Sequence, residues 1–381
     1  MSIQVRYLNY GEYDKAAEFL DRYWANNHAY VKMPQLFEWT FGHHACWDRD
    51  TYSFAIAEKE SEVIGILGGV PFLLNAYGRT SYGVWLANWM VHPSNRSGRC
   101  ALALLKQFTR PPFDATIAFG INQDVAPIYQ AMQWKVVEDI PRYFFILPDA
   151  IERMTDLLMH TYPDWDAQRA RSLAQAVALT GFQGTPAEAD RFSPPEWNLW
   201  DQYTWAQLAL ETTGAARNSA YLKWRYLEHP IFKYRFITVP EGDRIGLAVW
   251  RLETIRQSMP DGLKDLDTLG RLVEFMPVSE QNCKMLLSLL ESDLRSQGAM
   301  GADSYCYHGK IGTWLEQAGI KEVEKHPSGG SIPARFQPLD AKRGGHIRSA
   351  LSCQLEPPRY PLSPGCHWYW TKSDADQDRP N

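Results

Sequence analysis

The chain has 381 residues, 45% hydrophobic and 22% charged, a composition ordinary for a folded globular protein and long enough for two domains of ~100–200 residues. Its net charge of −5 excludes the global basic field that favours nucleic acid or anionic membrane. Six scattered cysteines (Cys46, Cys100, Cys283, Cys306, Cys353, Cys366) lack CxxC pairs and zinc-like spacing, so no metal site is expected and a reducing, cytoplasmic setting is. The N-terminus carries no signal pattern, and no run reaches the ~18 apolar residues of a membrane span. The 15 Trp, 19 Tyr and 16 Phe fit either a packed core with an interdomain seam or a cleft whose rings hold a sugar or base.

The first 150 residues alternate helix and strand. Ile3–Tyr7 reads as a strand and Asp14–Trp24 as a helix with Ala17, Leu20 and Trp24 on one face. Pro34 opens a helix through Phe41, and Tyr52–Ala57 and Val63–Val70 read as a hairpin. Tyr82–Val91 is an aromatic and β-branched strand stopped at His92-Pro93. Then follow a helix over Cys100–Phe108, a buried strand over Asp114–Gly120, a helix over Val125–Met132 and a closing strand over Tyr143–Leu147. Residues 151–195 read as a helical connector that loosens into a Gly- and Pro-bearing linker.

The second half repeats the first. Phe37-Glu38-Trp39-Thr40-Phe41 with His44 parallels Leu222-Lys223-Trp224-Arg225-Tyr226 with His229. Each is followed by a strand and a glycine-bearing strand, and Ile128–Trp134 parallels Thr313–Gly319. Two tandem α/β (α+β) domains are expected, each a mixed sheet flanked by helices, over 1–150 and 196–338. The tail, 339–381, is polar and acidic at its end and is expected to fray.

The segment with the clearest chemistry is Trp85–Leu105. A strand ends, a Gly/Ser/Arg turn follows, and an amphipathic helix begins. The free N–H groups and dipole of such a helix start suit a pyrophosphate. Gly98 permits close approach, and Arg96 and Arg99 add charge. This segment resembles the acyl-CoA-binding motif of the GNAT acetyltransferase superfamily, Gln/Arg-x-x-Gly-x-Gly/Ala. Two registers are open: Asn95-Arg96-Ser97-Gly98-Arg99-Cys100, or Arg96-Ser97-Gly98-Arg99-Cys100-Ala101. Downstream, Asn122 through Tyr129 to Gln133-Trp134 is similar to the family's second motif, with Gln133-Trp134 replacing its Gly-Phe pair.

The resemblance implies an acyl-CoA-dependent N-acyltransferase in which a free amine attacks the thioester directly. It implies acyl-CoA (acetyl-CoA or a short hydroxyacyl-CoA) held by Met90, Val91, Asn95, Arg96, Ser97, Gly98, Arg99, Cys100, Ala101 and Asn122. Tyr129 stands where the family places its general acid, and Asn88 is the polar residue nearest the expected thioester. The equivalent turn of the second half, near Phe275–Cys283, has no glycine or arginine and carries Glu280, so a second CoA site is not expected. That half is expected to serve the acceptor, with Asp303, Tyr305, Tyr307 and His308 at a strand end and His308 as candidate base. Trp85 and Trp89 are candidate substrate contacts. Tandem relatives of this design suggest a nucleotide-linked amino sugar as acceptor, without nucleic acid or membrane partners. A Fem-type aminoacyltransferase and a non-catalytic acyl-CoA-binding protein are the alternatives.

Overall fold

The structure, a computed structural model, describes residues 3–42, 45–96, 98–179, 181, 191–325, 329–341, 345–355 and 367–380. His44, Ser97, Cys366 and most of the expected linker lie outside them.

Among the described residues two sheets form. The first contains β1 (Gln4–Asn9), β2 (Thr51–Lys59), β3 (Glu62–Ala76), β4 (Arg79–Val91), β5 (Phe113–Phe119) and β6 (Lys135–Val137). The second contains β7 (Arg142–Ile146), β9 (Arg235–Glu241), β10 (Arg244–Met259), β11 (Gly262–Met276) and β12 (Gly301–Tyr307). Short β8 (Thr213–Ala215) pairs with β3, and β13 (Arg335–Phe336) with β14 (Leu339–Asp340) makes a separate ribbon. From the tail, β15 (Ser349–Cys353) enters the first sheet and β16 (Trp370–Thr371) the second. The strand orders are β1-β2-β3-β4-β5-β15-β6 and β16-β12-β11-β10-β9, with β7 on the outer side of β12.

Local chemistry explains the core of each sheet. The long β3–β4 hairpin closes through Tyr77-Gly78, both at positive φ (52° and 81°), as a twisted two-residue turn requires. β3 is almost wholly buried and β4 is buried from Gly83 to Asn88, with α1 (Tyr13–Phe19), α2 (Ala29–Lys32) and α3 (Pro34–Phe41) in one apolar cluster. A second cluster joins α4 (Arg99–Leu105) and α5 (Ala126–Ala131) to the opposite side chains of the strands. On the second sheet, α6 (Ile151–Thr161), α7 (Ala167–Ala176), α11 (Glu280–Ser296) and α12 (Gly309–Gln317) share one core. Between the sheets run α8 (Trp197–Leu199), a π-helical turn at Trp200–Trp205, α9 (Ala206–Glu211) and α10 (Ser219–Leu222).

Both sheets contain the same succession. β2–β3 and β3–β4 are antiparallel and β4–β5 parallel; β9–β10 and β10–β11 are antiparallel and β11–β12 parallel. Trp39 and Trp224, at matching places in the repeated motif, stack on each other at 4.8 Å and 16°.

Two expectations are corrected. The strand read as closing the first domain, Tyr143–Leu147, pairs antiparallel with β12 of the second sheet instead. Its place beside β5 and β6 is taken by β15, more than 200 residues later. Among the described residues of the tail, its end does not fray: Trp368, Trp370 and Asp374 are buried to 1% exposure or less. Fully buried Arg217 clasps Glu274 of β11 at 3.0 Å and Asp374 of the tail at 2.8 Å, locking three distant segments together.

Candidate active site

The first sheet opens at one point. The β4–β5 ladder runs from Tyr82 opposite Phe113 to Leu86 opposite Ala118 and then stops, while β4 continues along β3 to Val91. A β-bulge causes the parting. Gly68 faces Ala87 and Ile66 faces Met90, so Asn88 and Trp89 together oppose Leu67. Asn88 absorbs the extra residue at φ 52°, and the bend swings the end of β4 away from β5.

Polar groups line this wedge without partners. Asn88 is 5% exposed, and both its amide atoms lack a hydrogen bond, as does the indole N–H of Trp89. Buried polar atoms are usually satisfied, so this pair of orphans at a strand parting is available to a ligand. Tyr129 packs against Trp89 at 5.7 Å and Trp134 at 4.9 Å. Burial raises its pKa, keeping the phenol protonated and able to donate. Gln133 sits at φ 62°, a left-handed conformation more usual for glycine.

The turn that follows has the expected form. Gly98 stands at φ 85° as N-cap of α4, and a Cβ built there would meet nothing within 4 Å. The first bond of the helix runs from Leu102 N to Gly98 O at 3.0 Å, leaving the amides of Arg99, Cys100 and Ala101 ahead of it. Arg99 is exposed above this end, whereas Arg96 turns back and donates its Nε to Val91 O at 3.2 Å. Cys100 points into the core beneath Gly65, so only its backbone faces the turn. Asn95 bonds Ser94, exposed Asn122 caps its own turn through Asp124 N, and Met90 is half-buried near the wedge.

The second sheet has the same wedge, and it is filled. β11 and β12 pair only from Gly270–Ala302 to Leu272–Ser304. Beyond that, β16 pairs with β12 at Cys306 and Tyr307. Cys306 N meanwhile bonds Pro141 O on the opposite side, which places β16 on the side β11 has left. Tyr369 accepts from Phe275 N at 3.1 Å and donates to Glu274, pinning the segment to the end of β11.

From that wedge the tail crosses to the first sheet, where Gln377 donates to Phe119 O at 3.2 Å beside Gly120. Between the sheets it walls a cavity of about 240 Å³, open to Gly120 and faced by Arg251, Glu253, Arg271, Tyr305 and Lys372. Glu253 carries Arg251 at 3.0 Å and Arg271 at 2.8 Å; burial alone would raise its pKa, but these cations hold it at about 2. Lys372 lies over the Tyr305 ring at 5.2 Å, and its pKa is lowered by burial and then by Arg271, against the pull of Glu253 and Asp378.

The expected acceptor residues divide here. Tyr305 lines the cavity and donates to Gly345 O at 2.8 Å, and Tyr307 stacks on Trp370 at 5.3 Å. Asp303 is buried under Arg142 at 2.9 Å and Arg271, holding the network rather than facing the cavity. His308 is not brought to either place. It caps α12 through Nδ1, faces a separate pocket with Glu211, Arg244 and Lys310, and burial, followed by His367 and Lys310, pushes its pKa down to about 4. Trp85 is a core residue against Phe72 and Trp370. Sequence reasoning missed Arg251, Arg271, Lys372 and Gln377. The signal available was the alternation Lys372, Asp374, Asp376, Asp378 directly after Trp368 and Trp370.

No protein-family model and no curated protein matches the sequence. Solved structures do. A GCN5-related N-acetyltransferase from Anabaena variabilis superposes with TM-score 0.54 at 11% identity, covering 93% of this chain and 73% of that one. The fold is that of the GCN5-related N-acetyltransferases. A probable N-acyltransferase from Enterococcus faecalis aligns at TM-score 0.52 and 11% identity, over 92% and 72% of the two chains. Saccharomyces cerevisiae N-myristoyltransferase with bound myristoyl-CoA aligns at 0.53 and 13%, over 95% and 84%. No helix among the described residues is long and apolar enough to cross a membrane.

Proposed function

We propose that the chain is a cytoplasmic acyl-CoA-dependent N-acyltransferase with one active site, its cofactor half in the first sheet and its acceptor half between the sheets. The observation that carries this reading is the wedge at Asn88, open and lined by orphaned polar atoms, with Tyr129 beside it and the Gly98 helix start after it. The likeness of the fold to a structure with bound myristoyl-CoA supports it.

In this reading α4 takes the pyrophosphate at its amides with Arg99, and the end of β4 guides the pantetheine arm into the wedge. Asn88 and the Trp89 N–H hold the thioester. The acceptor nitrogen attacks the carbonyl carbon, the C–S bond breaks, and Tyr129 O–H gives its proton to the departing thiolate. The acyl donor is acetyl-CoA or a short hydroxyacyl-CoA, and the acceptor an amino sugar on a nucleotide. Rings and cations around the cavity, Tyr305 and Lys372 among them, favour such a polar acceptor over a hydrocarbon.

The test is calorimetry with acetyl-CoA, then thiol release with dTDP- and UDP-amino sugars. CoA binding with amine-dependent release is expected. Absence of CoA binding would overturn the reading, and tight binding without release on any amine would leave a binding protein.

A further inference from the structure

We propose that the cavity between the sheets is an anion site, taking a phosphate or carboxylate of the acceptor with Lys372 as its direct counter-charge. This rests on the acyltransfer reading for the word acceptor, though the anion site stands on its own geometry.

The lining is unbalanced. Arg251, Arg271, Arg335, Lys372 and Arg379 face the cavity against two carboxylates, Glu253 and Asp376. Two further carboxylates stand behind the wall, Asp378 at 2.7 Å from Arg251 and Asp303 beside Arg271. Arg379 is tied to Asp376. The fixed carboxylates therefore go to the arginines, and Lys372 makes no ion pair among the described residues. Arg271 and Arg142 repel it, while Glu253 and Asp378 attract it from a distance.

An ammonium held among guanidinium groups without a carboxylate is an unfavourable arrangement in an empty site. A bound anion removes the conflict, because it meets the ammonium and the spare donors of Arg271 and Arg251 together. The volume of about 240 Å³ falls below the ~300–1,000 Å³ of whole-ligand pockets, so it holds a charged group and not an entire nucleotide sugar. Its mouth at Gly120 adjoins the end of β5, one residue past the strand that parts from β4. A group anchored there leaves the rest of the acceptor on the side of the wedge.

The experiment titrates pyrophosphate and, separately, succinate into the full chain saturated with CoA, so that the helix start is already occupied. Wild type, Lys372→Gln and Lys372→Arg are compared after circular dichroism has shown that each is folded. Lys372→Gln should weaken the tighter anion at least tenfold, and Lys372→Arg should stay within about threefold of wild type. Tighter pyrophosphate assigns a phosphate, and tighter succinate a carboxylate. Equal affinity of wild type and Lys372→Gln, or no saturable binding of either anion, overturns the proposal. Should CoA itself fail to bind, the same titrations without it still read the cavity. Lys372-dependent anion binding would then stand while the acyltransfer reading falls.

Discussion

The two wedges of this molecule begin alike and end differently. In each, a parallel strand pair separates after a short ladder, yet one gap borders buried Asn88 with its amide unpaired and the other encloses Tyr369 and Trp370. The residues after the wedge explain the contrast. Past β4 comes Gly98, at a φ that favours glycine and with open space above it. Past β11 the helix is capped by Ser279, whose side chain accepts from Asn282 N and so occupies one of the donors a phosphate would need. Two sheets with the same strand succession thus differ: among the described residues one gap takes in no strand of the tail, and the other is a socket for β16. That tail then reaches back to the first sheet, so the closed wedge helps to build the wall of the open one.

The comparison is broken most forcefully by removing the plug. A chain ending before residue 367 loses buried Trp368, Tyr369 and Trp370 and strips Arg217 of one carboxylate and Arg251 of another. Each large side chain contributes roughly 1.5–3 kcal/mol, so thermal unfolding followed by circular dichroism should lose its cooperative transition. A transition at the wild-type temperature would make the socket dispensable.

Next in size is Arg217→Met. Two buried carboxylates would lose their partner, at a cost of about 3–5 kcal/mol, readable as a lower urea midpoint with the slope unchanged. In the open wedge, Tyr129→Phe should lower kcat by about 100-fold while leaving CoA affinity intact. Unaltered turnover would remove the tyrosine from the mechanism.

Lys372→Met should act in the opposite direction on stability. The ammonium pKa is lower in the folded chain than in the unfolded one, so between the two values the unfolded chain binds more protons. Stability therefore rises with pH through that window, and at lower pH Lys372 opposes folding. The variant should melt higher near neutral pH, by on the order of 2 °C, and should flatten the rise toward alkaline pH. A lower melting temperature would make Lys372 a structural partner. Smallest is Arg99→Gln, expected to weaken CoA only about threefold because its charge is exposed to solvent.

Much of the open wedge was legible beforehand. Strand Tyr82–Val91, the turn at Gly98 and the helix bearing Tyr129 are short-range objects, and periodicity and turn chemistry report short-range objects. The bulge was not legible, because Asn88 at positive φ reflects register against β3, not any neighbour in sequence. The orientation of His308 was not legible for a related reason. It follows a strand as expected, but its ring accepts from Ile311 N to cap α12 and faces a pocket apart from the cavity.

By itself, the amino-acid sequence determined the alternation of strands and helices, the matching strand succession of the two halves, and the glycine turn at Gly98 ahead of a helix start. Those features depend on side-chain period, backbone freedom and the donors of a helix start, all set within a few residues. Only the tertiary structure decided which sheet received β7, where the tail went, and that Lys372 would stand among arginines. Such outcomes depend on pairings across hundreds of residues, as between β15 and β5, and on burial, which turns an ordinary lysine into one whose charge works against the fold.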